Sequence, residues 1–553
     1  MTQFDVVNLG ILWDRLVSIA NEMVLSLVRT SFSSNVREAY DLSCVLFDSQ
    51  GNSLSQGSYS VPTFTGTAPP TLRHMLAVFP PETLEPGDVI VTNDPWMGTG
   101  HLFDINIMRP VFHEGRHVGY TMSITHLPDI GGMGFSATTT EIYAEGLRLP
   151  VMKLMRAGQL NEELLDLIRI NVRAKEQVIG DIMANISCNV VGGRMLVEFM
   201  TEYGITELAP LSQAIRAQTE RVMREKMAEI PDGVYRNEIQ IEGMDRPITL
   251  ACAATISGDS AHIDFAGTGP AVRAAINAPL CYTRALSFYP FKCITIPHLP
   301  NNEGAVAPVS ISAPEGCVLN AVAPSATGGR HTVGHFIVPL IFGALAEAVP
   351  DKVQADVGMT NSVNFIGQHQ DGRNFAGLFF LAGGFGALEG LDGASTTPAP
   401  SNMSNVSTEV WEEMTSMTIE SRELLTDSGG PGQYRGGLGQ RVVMRNDTSR
   451  PVAAACFGQR TEFPARGLHG GMTGRLREVL INGEKVHPKG TYLLAPGDTL
   501  TTLEAGGGGF GDPRVRVLAA LTEDARNGFV SPDSARRNYG AEIDPETGEA
   551  RRP

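Results

Sequence analysis

Leu9, Leu12, Leu16, Ile19, Met23 and Leu27 recur at helical spacing and predict a long amphipathic first helix that ends near Ser33 to Asn35. The period then shortens. Ser43 to Phe47 reads as a strand running into a turn over Asp48 to Asn52, which leaves Asp41 at a helix-to-strand corner, where it reads as a turn residue. Val89, Ile90 and Val91 predict a short buried strand that stops at Asn93, Asp94 and Pro95. Ile105, Ile107, Val111 and Phe112 predict a second strand interrupted at Pro110. Gly115 turns the chain into a third, marked by Val118, Tyr120, Met122 and Ile124.

Helical spacing returns from Asn161 to Gly204, with Leu164, Leu165, Ile168, Val172, Leu196, Phe199, Met200 and Tyr203 apolar and Gly204 as the stop. A further helix runs from about Leu208 to Glu229 and ends at Pro231. Past Gly233 the pattern alternates: Ile239 to Ile241, Ile248 to Ala254 and His262 to Phe265 read as strands, with turns at Gly243 and Gly258. Helical stretches follow at Tyr282 to Ile294 and His331 to Ala348. The expected fold is therefore α+β. A helix-rich region over 1–231 holds the strands described above, a strand- and glycine-rich region over 232–515 packs on it as one body, and 516–553 forms a tail.

With 42% apolar and 19% charged residues over 553 positions, the chain has ample material for a core and no sign of disorder. A net charge of −17 makes a nucleic-acid backbone an unsuitable partner. The seven cysteines are odd in number and contain no C-x-x-C pair, which excludes a structural zinc ribbon and suits a reducing compartment. No basic leader opens the sequence and no apolar run is long enough to span a bilayer, so a cytoplasmic location is expected.

The chemistry concentrates between Asn93 and Gly134. Asp94, His101, Asp104, His126 and Asp129 fall within this stretch, among turn-forming glycines and prolines. His101 and Asp104 precede the second strand and His126 follows the third, so an antiparallel hairpin returns the second imidazole to the end of the sheet where the first lies. Imidazole nitrogen and carboxylate oxygen together suit a borderline divalent metal. The alternative is a pair of buried, hydrogen-bonded histidines without a ligand. Elsewhere, Gly430, Gly432 and Gly436 lack the Lys-Ser or Lys-Thr of a phosphate loop, and G-M-G-F-S-A at 132–137 is followed by three threonines rather than a helix start. There is neither a G-x-S-x-G elbow nor an H-E-x-x-H helix. The glycines of the last third instead suggest loops passing close to one another or to a ligand.

Seven runs occur in order: NDPWMGTGHLFD, HLPDIGG, AEGLRLP, NVRAKEQVIGDIMANI, DFAGTGP, DSGGPGQYRGGLG and AGGGGFGDP. Together they resemble the hydantoinase B/oxoprolinase family over nearly all of the chain to about residue 513. Gly100 and Phe103 flank His101 where that family would lead one to expect a threonine and a proline. The resemblance implies a B-type subunit of an ATP-dependent enzyme that opens cyclic amides (hydantoins, 5-oxoproline or lactams). It implies a partner, the hydantoinase A-type ATPase subunit, that uses ATP and Mg to activate the carbonyl, and an obligate hetero-oligomer. It also implies that Asp41, His101, Asp104 and His126 hold one or more divalent ions (Zn, Mn or Fe), with His126 and Asp129 catalytic and Asp129 accepting a proton from metal-activated water. Asp41 enters the set through the resemblance alone. Two other readings remain open: a ketone carboxylase subunit, and a non-catalytic scaffold for an ATPase.

Overall fold

The structure, a computed structural model, describes residues 5–553. The first helix spans Val6–Thr30; Asp5 caps it by accepting from the Val7 and Asn8 N–H groups, and all six apolar positions of the predicted stripe are buried. It lies against a seven-stranded sheet made of β1 (Leu42–Asp48), β2 (Ser53–Gln56), β3 (Val89–Thr92), β4 (Asp104–His113), β5 (Arg116–His126), β6 (Met152–Arg156) and β7 (Gln159–Leu160). The strand order is β2-β1-β5-β4-β3-β6-β7. Every residue of β1 is buried because both faces of the sheet are covered. Cys44 and Leu46 pack with the first helix and the helix Lys175–Glu202, while Val45 and Phe47 pack with the helix Phe64–Val78.

The β4–β5 hairpin forms as the apolar pattern predicts, with Asp104 paired to His126 at its open end. The strand does not break at Pro110. Pairing of β3 to β4 ends at Met108, so Pro110 lies where β4 has a single neighbour and its missing N–H removes no ladder bond on that side. The helical stretch after Asn161 divides into Glu162–Asn171 and Lys175–Glu202, because Asp129 accepts the N–H groups of Arg173 and Ala174 that a continuous helix would need. The stretch from His331 likewise divides into His331–Gly334 and Ile337–Leu345.

Beyond residue 231 the chain builds two four-stranded sheets, a five-stranded sheet and, in the tail, a two-stranded one, so the fold is a mixed α/β body of several sheets. Helices continue here too, among them Leu280–Thr295 and Ile337–Leu345. One apolar cluster joins Val89, Phe103 and Ile105 to Ile239, Phe336 and Phe457, and a second joins Phe47 and Phe64 to Phe365 and Trp411. Both clusters therefore cross residue 231. The tail packs around its own small core of Leu521, Val530 and Tyr539. Among the described residues no helix is long and apolar enough to cross a membrane.

The glycine-rich runs of the last third lie against one another, backbone to backbone. Gly437 donates to the Phe385 carbonyl at 2.8 Å and Gly507 to the Gly437 carbonyl at 3.0 Å. A Cβ on Gly437 would lie 2.0 Å from the Ala394 carbonyl oxygen, whereas one on Gly10, in the first helix, would meet nothing within 4 Å. Gly437→Ala is therefore expected to lower stability by about 1–3 kcal/mol or more through overpacking. Gly10→Ala should raise it by roughly 0.5–1 kcal/mol through helix propensity. Denaturant melts of the two variants check this; equal effects would contradict the packing argument.

Candidate functional site

Asp41 directly precedes β1, His126 ends β5 and Asp104 begins β4, and these three strands are neighbours in the order β1-β5-β4. The backbone closes the group further, since the His126 N–H donates to the Asp41 carbonyl at 3.1 Å. His101 reaches the same place from the loop before β4. All four side chains are buried and line one cavity of about 60 Å³, together with Arg330, His331, His335 and Tyr282. That is room for several waters. Val61, Phe64, Leu378, Phe380 and Met403 give the cavity an apolar wall.

The contacts of His101 define what the group can bind. Its Nδ1 is 2.8 Å from the Gly328 carbonyl, and a carbonyl only accepts, so Nδ1 carries the proton. Burial and then Arg330 push the imidazole below its ordinary range, against the pull of Asp104. The neutral ring thus turns a lone pair at Nε2 towards Asp104 Oδ1, 2.9 Å away. Two lone pairs at that separation call for a positive charge between them. Nε2 of His101 and Nε2 of His126 are both buried without a hydrogen-bond partner. Burial and then His101 push His126 down to about 3.

The carboxylates carry the same imbalance. Burial opposes the charge on Asp104, but the positive charge of Arg330 outweighs it and holds this carboxyl well below its ordinary range. Arg330 Nη2 donates to Asp104 Oδ2 at 2.8 Å, its Nε donates to the Thr99 carbonyl at 2.6 Å, and its guanidinium lies 4.2 Å over the Tyr282 ring. Asp41 is pushed well above its ordinary range, first by burial and then by the charge of Asp104. Two buried carboxylates therefore share one guanidinium, and a divalent cation among these donors would relieve their repulsion. The donor chemistry fits such an ion. Among the described residues, however, no three His, Cys, Asp or Glu side chains already meet in a closed ligating arrangement. Asn35 bears on how His126 could take part: its Nδ2 lies 3.3 Å from His126 Nδ1 while its Oδ1 accepts from the Leu378 N–H. A cation on His126 Nε2 requires the Asn35 oxygen turned to the ring instead.

Asp129 and Asp94 lie elsewhere. Asp129 Oδ1 accepts from Gly131 N at 2.9 Å and Arg173 Nη1 at 3.2 Å, and its Oδ2 accepts from the N–H groups of Arg173 and Ala174. It lines a separate small cavity with Asn93 and Leu127. The expectation that Asp129 takes a proton from water beside His126 is corrected on this geometry: its oxygens are occupied in bracing the break before the helix Lys175–Glu202. Asp94 pairs with Arg148 and accepts from Trp96 N.

Residues 328–335 supply what the sequence reading missed: Arg330, His331, His335 and the loop carbonyl that orients His101. Glu145 Oε1 accepts from Thr327 N at 2.7 Å and Gly328 N at 2.6 Å, so this buried carboxylate fixes the peptide that fixes His101. The two residues unexpected beside His101 also find a reason. A Cβ on Gly100 would lie 2.7 Å from Arg330 Cδ, so only glycine admits the guanidinium there. Phe103 stacks on His126 with ring centroids 5.5 Å apart.

Comparison with known proteins agrees with this architecture. The hydantoinase B/oxoprolinase family model matches residues 5–513, and the chain belongs to that family. It is 31% identical to the beta subunit of the caprolactamase of Pseudomonas jessenii over 98% of this chain and 97% of that protein. To the B-type subunit of a putative D-/L-hydantoinase of Pseudomonas sp. (strain NS671) it is 27% identical, over 98% and 96%. It is 29% identical to 5-oxoprolinase 1 of Arabidopsis thaliana, spanning 42% of that longer protein. The crystal structure of the ATP-dependent caprolactamase from Pseudomonas jessenii superposes with a TM-score of 0.90 at 28% identity, covering 98% of this chain and 97% of that one. A nucleotide-free acetone carboxylase shares the fold with a TM-score of 0.89 at 19% identity, over 98% and 81%.

Burial pushes the Glu145 carboxyl up to about 7, against the pull of the Gly328 and Thr327 N–H groups and Arg330. The folded chain thus holds this proton more tightly than the unfolded chain, where a glutamate titrates near 4.5. Its contribution to stability is most favourable below pH 4.5 and declines as the pH rises to about 7. Glu145→Gln keeps an acceptor for the two N–H groups and should flatten that decline, read by denaturant titration at the two ends of the window. Glu145→Ala should cost about 1–3 kcal/mol for each donor left unpaired. An unchanged pH slope in the Gln variant would contradict this account.

Proposed function

We propose that this chain is the B-type subunit of an ATP-dependent cyclic-amide hydrolase, opening a hydantoin, 5-oxoproline or lactam ring once a sister ATPase subunit has activated the carbonyl. The observation that carries the reading is the convergence of Asp41, His101, Asp104 and His126 on one cavity in a chain alignable end to end with a caprolactamase subunit. The carboxylase alternative is supported only by a shared fold at 19% identity.

An amide carbonyl is a poor electrophile because nitrogen donates into it, so hydrolysis needs an activated carbonyl and a held, polarised water. Asp41, His101, Asp104 and His126 would hold a divalent ion, zinc, manganese or iron. Bound there, the ion would supply Lewis acidity and lower the pKa of a water towards neutrality. The chain's own residues do the rest. The Gly328 carbonyl keeps His101 in the tautomer whose Nε2 is free, Arg330 holds Asp104 ionised, and the apolar wall excludes bulk water and accepts ring methylenes. ATP and its Mg belong to the partner.

His101→Ala or His126→Ala removes a nitrogen donor. Bound metal and the activity of the complex are expected to fall together, the activity by several orders of magnitude. The fold should survive, since a core of this size does not depend on one ion. Elemental analysis and melting temperature on the complex with its ATPase partner decide the matter. Full metal occupancy in both variants, with stability lowered by roughly 1–3 kcal/mol, would show two hydrogen-bonded histidines and no ligand site.

A further inference from the structure

His331 and His335 stand one helical turn apart at the start of the segment after Arg330 and both line the cavity described above. Their ring centroids are 5.7 Å apart. His331 is held by aromatic neighbours, its ring stacked on Phe135 at 5.8 Å and tilted against Phe457 at 5.3 Å. Neither imidazole has a side-chain hydrogen bond to the described residues; His335 is buried and His331 partly buried, and for both, burial comes first among the causes pushing the ring below its ordinary range, with Arg330 adding to it. Each neutral ring therefore offers one N–H and one lone pair to whatever fills the cavity. Two unpartnered imidazoles lining a cavity that Val61, Phe64, Leu378 and Phe380 also line suit a ligand with a hydrocarbon body and one compact donor–acceptor edge.

A small or medium ring forces its amide into the cis arrangement, which sets N–H and C=O side by side on one edge; an open-chain secondary amide is trans and points them in opposite directions. We propose that His331 and His335 bind the cis N–C=O edge of the cyclic amide, one ring accepting from its N–H and the other donating to its carbonyl. This rests on the hydrolase reading for the substrate class but on separate residues. It makes the pair determinants of specificity: they select cyclic over open-chain amides and secondary over N-alkylated ones. A site built to pair a substrate N–H discriminates strongly against an analogue without it, because the site's own polar group is then left buried and unpaired.

The test uses the complex of the full chain with its ATPase partner, without ATP. Binding of a five-, a six- and a seven-membered lactam, their N-methyl derivatives and open-chain N-methylacetamide is measured by calorimetry. Wild type should bind the unsubstituted lactams at least tenfold more tightly than either comparison set. His335→Leu and His331→Phe should lose that preference with metal content unchanged, and His335→Gln, which keeps a donor and an acceptor, should retain part of it. Equal binding of lactams and N-methyl lactams by wild type, or unaltered selectivity in both variants, would overturn the proposal, as would loss of bound metal from them, since the pair would then be ligands. Turnover with ATP is scored separately. Selective binding without ring opening would sustain the edge-binding role and remove the hydrolase reading; ring opening with unselective binding would do the reverse. Failure to bind any lactam would overturn the edge-binding role whatever the turnover.

Discussion

The burial of Asp104 is the constraint on which the site depends. A carboxylate with 1% exposure can stay ionised only beside positive charge, and Arg330, 226 positions further along the chain, supplies it. That one pairing requires a glycine at position 100 and a tyrosine face at 282, and it brings residues 325–330 against the end of the seven-stranded sheet. Once that loop is in place, the Gly328 carbonyl orients His101, and the two histidines that follow Arg330 are carried into the same cavity. Removing Arg330 alone would leave two buried carboxylates uncompensated, which is why this arrangement has little room for gradual change.

The parts of this arrangement that were legible in the sequence are those set by local spacing. The stripe from Leu9 to Leu27 and the alternation from Ile105 to Ile124 define a helix and a hairpin by period alone, and the hairpin's register then places Asp104 opposite His126. Asp41 was not legible in that way. Its position beside His126 follows from β1 pairing with β5, a long-range choice that no local pattern encodes, and only family resemblance drew it into the donor set. Asp129 misled for the complementary reason: it follows the same strand end as His126, but the chain has turned by then and its oxygens meet Arg173 and Ala174. Arg330 and Glu145 were invisible because their partners lie 182 to 231 positions away in sequence, and His331 and His335 because they reach the cavity only through the segment that Arg330 anchors. The one available signal was the run GGRHTVGH, with two histidines four apart after a pair of glycines.

The glycine-rich last third illustrates how a pattern can be seen without its purpose being read. The density of glycine announced close approach, and the spacing did not match a phosphate loop, but the second body was left open between a ligand and another loop. The carbonyl oxygens of Ala394 and Gly507 occupy the space where side chains of Gly437 and Gly436 would stand, so the second body is the chain itself. These layers frame the sheet that carries Asn361 and Ser362 to the cavity; Asn361 donates to Glu504, which is itself paired to the buried Arg477.

The cavity also sits where two apolar clusters meet. Phe103, Phe135, Tyr282 and Leu378 belong to one, and Val61, Phe64 and Met403 to the other. Close-packed clusters deform little, so polar groups mounted between them are held in orientation by their surroundings rather than by contacts to a ligand. This explains how His101 Nε2 and His126 Nε2 can be left without protein partners. Relaxing towards a partner would require repacking Phe103 and Phe135, the two rings that crowd both imidazoles. Each buried nitrogen kept bare costs free energy in the folded chain, and the surrounding core is large enough to carry it. The rigidity that makes the donors costly is what makes them selective, since a group that cannot turn away binds only what arrives with matching charge and geometry.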